Sequence, residues 1–153
     1  MSVPSTAAHQ DGLWAERVGT RCYTGHNARG AQVRMGPVEA GDVFTPGELL
    51  KIALAGCAGM SADHSIARRL GADVTVTVRV AGPNQDERYP NLYEELVVDL
   101  SALETADRER LLTVIHRAIE RNCTVERTLA AGATVDLTIN DAPSTAAQVE
   151  ATR

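Results

Sequence analysis

The chain has 153 residues, a net charge of −5 at pH 7, 44% apolar and 23% charged residues. That length and mix suit one globular domain and exclude a disordered segment. The acidic balance gives no footprint for nucleic acid or an anionic membrane, and five aromatics (Trp14, Tyr23, Phe44, Tyr89, Tyr93) are too few for a base-stacking platform.

The opening MSVPSTAAHQDG lacks a cationic segment followed by an apolar run, so it does not read as a signal peptide. Residues 1–12 and 141–153 are expected to be flexible ends around a folded domain spanning 13–140. Leu13–Tyr23 and Ala31–Met35 have the texture of short strands, with a turn-like Gly25–Gly30 between them. At Thr45, Thr-Pro-Gly-Glu gives an N-cap threonine, proline at the first helical position and Glu48 at the third. The helix should run to Leu70, stop at Gly71, and carry Arg68 and Arg69 in its last turn. From Leu49 to Met60 it is apolar nearly all round, which predicts burial on most sides and cover from a partner subunit. That stretch contains Lys51 and is too short to span a bilayer.

Alternation at Val74, Val76, Val78 and Val80 predicts a strand, and Leu96, Val98 and Leu100 a second one, joined by a long turn-rich loop. Thr105–Arg121 reads as an amphipathic helix with a stripe of Leu111, Leu112, Ile115, Ala118 and Ile119. Asn122–Leu129 reads as a turn, and Val135, Leu137 and Ile139 as the last strand. The order is that of an α+β fold, antiparallel sheet backed by helices.

Three cysteines without a CxxC pair do not form a disulfide framework, and a reducing, cytoplasmic setting is expected. Cys57 falls in the middle of the apolar helix. It is either a small core residue or a reactive thiol, and in the second case a cation from elsewhere must lower its pKa, because mid-helix amides are already bonded. Cys123 follows the second helix. It is either a loop-corner residue or, if Asn122 caps a new turn, a sulfur beside free amides that favour a thiolate. Cys22 reads as structural. His64 shares a helix face with Cys57 but lies about 10.5 Å along the axis, too far for a direct pair. The histidines show no metal-ligand spacing, and no metal or organic cofactor is expected.

Phe-Thr-Pro-Gly-Glu-Leu-Leu, then Ala-Leu-Ala-Gly-Cys57, then Cys123 roughly 65 residues on, resembles the OsmC/Ohr family of osmotically inducible and organic-hydroperoxide-resistance proteins, nearer the OsmC-like branch. The resemblance covers about residues 13–140. It implies antiparallel sheets wrapped around a long central helix in an intertwined homodimer, with active sites at the interface. It also implies an antioxidant thiol peroxidase of the oxidative stress response, with Cys57 peroxidatic, Cys123 resolving and Arg29 steadying the thiolate. The substrate is then an organic hydroperoxide, and the reductant an external dithiol, dihydrolipoyl or thioredoxin-like. In the family a glutamate just after the helix-starting proline holds that arginine; here the matching slot is Gly47, and Glu48 comes next. The alternative is a non-enzymatic dimer, a redox sensor or an apolar-ligand binder.

Geometry adds an expectation for Glu48. Nine residues separate it from Cys57, a rotation of about 900° and a rise of about 13.5 Å, which puts it on the opposite face. It is either the back-bonding member of the capping box or a group that serves the partner's cysteine across the dimer interface.

Overall fold

The structure, a computed structural model, describes residues 12–140 and 142–144. The two ends expected to be flexible lie outside the described residues, apart from Gly12 and 142–144. The described residues form two compact units, 12–46 with those described after 132, and 47–132.

In the first unit β1 (Leu13–Gly19), β2 (Cys22–Asn27) and β3 (Gln32–Met35) form an antiparallel sheet in chain order. The stretch Leu13–Tyr23, expected as one strand, is folded back on itself. Gly19 pairs with Cys22 across Thr20 and Arg21, and Arg21 adopts φ 58°. No glycine or asparagine marks that left-handed turn, so the pattern hid it. Gly25, expected in a turn, lies inside β2, where a Cβ would come within 3.0 Å of Val33 Cγ1 and 3.2 Å of Met35 Cε. The turn falls after it, and Asn27 shapes it: its Oδ1 accepts the backbone N–H groups of Arg29 and Ala31 at 2.9 and 3.0 Å. Residues Leu137–Ile139 (β6) pair with Ala142–Ser144 (β7), and Val135 falls outside the ladder.

The second unit is built on α1 (Pro46–Leu70), which starts after Thr45 and stops at Gly71, φ 100°, as its capping residues dictate. Its buried residues are Leu54, Ala58, Ala62 and Ile66, one stripe at a spacing of four. Burial on most sides is not met within the chain: Leu50, Ile52 and Met60 are 37%, 48% and 83% exposed. The strands β4 (Val76–Ala81) and β5 (Tyr93–Val98) pair antiparallel, with Val76 opposite Val98, Val78 opposite Leu96 and Val80 opposite Glu94. Val74 and Leu100, expected in the strands, lie just beyond the ladder yet still pack on the core. After α2 (Thr105–Asn122) the expected turn is instead a helix, α3 (Thr124–Ala131), ended by Gly132 at φ 76°. Two threonines and a valine among its first five residues concealed it, since β-branched residues are weak helix formers.

Ala62, Ile66, Leu111 and Ile115 make the core between α1 and α2. Ile66 is fully buried, so Ile66→Ala should cost about 3 kcal/mol in urea unfolding followed by helix signal. A loss below about 1 kcal/mol would contradict this packing. No helix among the described residues is long and apolar enough to cross a membrane.

Candidate active site

Leu54, Ala58 and Cys123 form a second buried cluster in the same unit, with Cys57, Val78, Val80, Leu92, Ile119 and Val125 packed around it. Cys57 reaches it from the middle of α1. Cys123 reaches it from the junction of two helices, where it follows the last residue of α2 and is itself the N-cap of α3. The two free thiols pack in one cluster and are close enough to act on each other's acidity, Cys123 completely buried and Cys57 partly exposed. Ser61 donates to the Cys57 carbonyl at 2.7 Å, so α1 passes the cysteine without a break.

The two thiols differ in acidity. Cys57 is held below the ordinary thiol value, chiefly by the backbone N–H of Val125, with the Cys123 thiol and the Thr124 N–H adding to it. These amides belong to the first turn of α3, where N–H groups have no intrahelical acceptor and the helix end is partly positive. Burial and the charge of Glu94 oppose the shift without reversing it. Cys123 is pushed up, first by burial. The thiolate therefore forms on Cys57, and Cys123 stays a thiol.

Amides of a neighbouring helix in the same unit lower Cys57, a source the sequence did not point to. The cap of the new helix is Cys123 itself and not Asn122, and its first-turn amides act on both sulfurs: those of Val125 and Thr124 lower Cys57, and that of Glu126 lowers Cys123 against the larger effect of burial.

Arg29 lies in the first unit, exposed in the turn between β2 and β3, its backbone held by Asn27. Glu48 is exposed in the first turn of α1, in the second unit with the cysteines. Gly47 has a physical reason of its own: the Tyr89 hydroxyl occupies the volume a Cβ there would need. Tyr89 is in turn held by Lys51, whose Nζ lies 4.3 Å from the ring centroid and donates to the Gly82 carbonyl at 2.7 Å. A glutamate at position 47 could not enter without displacing this tyrosine. His64 lines a separate hollow with Arg68, Arg69 and Asp107. Cys22 sits in β2 against Gly36.

Glu94 and Glu126 were not singled out for this site by spacing. Burial and the charge of Glu126 raise the Glu94 carboxyl above its usual range. The Glu126 Oε2 is buried without a hydrogen-bond partner. Glu94 lies directly opposite Val80 in the ladder; alternation puts it on the same face as Leu96 and Val98, and the register then brings it to the thiols.

The comparisons with known proteins bear on the family and the fold. The family model described as OsmC-like protein matches residues 39–138. An uncharacterised protein of Mycobacterium tuberculosis is 53% identical over 131 residues, 84% of this chain and 96% of that one. Among solved structures, an OsmC-like protein from Mycoplasma pneumoniae is similar with a TM-score of 0.55 at 18% identity, covering 77% of this chain and 85% of that one. A hypothetical protein from Aquifex aeolicus gives a TM-score of 0.60 at 15% identity, covering 88% and 92%. These two share the α+β fold. On the family match and the mycobacterial relative, this chain belongs to the OsmC-like family.

Proposed function

We propose that the protein is a thiol peroxidase that reduces organic hydroperoxides. The observation that carries this reading is the thiol pair itself: Cys57, the more acidic of the two, packed against a fully buried Cys123. The Cys57 thiolate attacks the distal peroxide oxygen, the O–O bond breaks, and a proton from solvent completes the alcohol. The sulfur is oxidised by two electrons to a sulfenic acid. The Cys123 sulfur then attacks Cys57, its proton leaves with the displaced hydroxide as water, and a disulfide forms. An external dithiol, dihydrolipoyl or thioredoxin-like, reopens it by exchange and takes the oxidising equivalents away. No metal or organic cofactor takes part.

In this reading the protein works as a homodimer. Ile52 and Met60 on α1 line an open apolar groove with Val76 and Val78, an exposed patch of the kind that a second copy covers. Arg29 steadies the thiolate, and Glu48 serves the cysteine pair of the partner subunit. Ile52→Lys combined with Met60→Lys should convert a dimer to monomers in sedimentation velocity at micromolar concentration. An unchanged sedimentation coefficient would remove this surface from the interface.

The test of the activity is a count of thiols. Reduced protein mixed with cumene hydroperoxide should lose two thiols per chain, and peptide mapping should find Cys57 joined to Cys123. Thiols unchanged after minutes at millimolar peroxide would favour the non-enzymatic reading, a redox sensor or apolar-ligand binder.

A further inference from the structure

Within the second unit, the charged groups that act on the thiol pair are two carboxylates. Glu94 on β5 and Glu126 on α3 are close enough to act on each other, and the charge of each reaches one of the sulfurs, Glu94 on Cys57 and Glu126 on Cys123. Among the described residues neither carboxylate makes an ion pair. The next residue in each case turns elsewhere or is itself paired: Arg127 donates to the Arg121 carbonyl at 3.2 Å, and Glu95 pairs with Arg79 at 3.2 Å. Glu126 Oε2 has no protein partner and no exposed surface, so its charge is poorly screened.

The same two carboxylates rim a hollow of about 590 Å³ between β5 and α2. Its floor is apolar, with Leu96, Val98, Ile115 and Ile119, and the titratable groups lining it are Glu94, Glu95, His116 and Glu126. Ile119 also packs on the cysteine cluster, so the hollow and the thiols share a wall.

We propose that Glu94 and Glu126 form a charge filter that makes the thiol pair selective for uncharged hydroperoxides and uncharged dithiols over carboxylate-bearing ones. This deepens the peroxidase reading and rests on it for the identity of the substrates, though the filter acts on any electrophile. An anion brought to Cys57 must sit near two carboxylates, one of them with an oxygen shut off from solvent. A neutral molecule of the same size meets only the apolar wall.

The experiment compares reagents that differ in charge and little else. At pH 8, Cys57 alkylation by iodoacetamide should outpace iodoacetate by a ratio about tenfold larger than that of 2-mercaptoethanol. In Glu94→Gln/Glu126→Gln the ratio should fall to that of the free thiol. The methyl ester of linoleic acid hydroperoxide should likewise consume thiols about tenfold faster than the free acid, and dihydrolipoamide should reduce the disulfide faster than dihydrolipoate. A wild-type alkylation ratio equal to that of 2-mercaptoethanol overturns the filter, as does a ratio that survives in the double variant. If the alkylation ratio is present but cumene hydroperoxide leaves the thiols intact, the filter stands and the peroxidase reading falls.

Discussion

Cys57→Ser should reduce peroxide-driven thiol loss to the rate seen without protein, whereas Cys123→Ser should keep the first step and lose the second. The reason is the unequal acidity of the pair. At neutral pH the nucleophile is the thiolate, and the α3 amides favour it on Cys57. A serine there has no accessible anion, and the buried Cys123 thiol, pushed up by its burial, cannot substitute. In Cys123→Ser the Cys57 sulfenic acid has no partner to close on. It should accumulate, be trapped by dimedone at one equivalent, and pass to sulfinic acid under excess peroxide. Mass spectrometry of the trapped adduct separates the cases. If Cys57→Ser still consumes Cys123 at the wild-type rate, the two roles are reversed.

Much of this was legible in the sequence, and the parts that were not have physical reasons. The cap at Thr45 and the stop at Gly71 place α1 to the residue, because both depend on local chemistry. The valine alternation places β4 for the same reason. The helix α3 was not legible, since its threonines and valine are poor helix formers and it is held by neighbours. Missing it hid the source of the Cys57 acidity, for a turn at 122–129 offers amides only to the residue that precedes it. Glu94 was hidden differently: alternation with Leu96 and Val98 gives its face, but the register that sets it opposite Val80, and so beside the cysteine cluster, is a long-range fact. The resemblance to the family named the two cysteines, but not what makes one of them acidic.

That acidity gives the second large effect. Removing the Val125 N–H should raise the Cys57 pKa and slow its alkylation at neutral pH by about tenfold or more, since a hydrogen bond to a charged acceptor contributes roughly 1.5–3 kcal/mol and about 1.36 kcal/mol is a factor of ten. Val125→Pro does this at the second position of α3, where the N–H has no intrahelical acceptor to lose. Val125 also packs on the cysteines, so Val125→Ala, which trims the side chain and keeps the amide, is the control. Thr124→Pro removes the weaker of the two amides at the first helical position, where proline is well tolerated, and its extended predecessor Cys123, ψ 94°, already suits a following proline. The readout is the pH dependence of iodoacetamide alkylation of Cys57. The sign follows from the charge: the amides stabilise the anion, so deleting them moves the midpoint up and lowers the thiolate fraction at any pH below it. The order of midpoints should be Val125→Pro above Thr124→Pro above wild type, with Val125→Ala close to wild type. Arg29→Ala sets the comparison with a guanidinium. If it raises the midpoint more than Val125→Pro does, the cation rather than the helix end governs Cys57. If Val125→Pro leaves the midpoint where it was, the first turn of α3 is not what ionises the thiol.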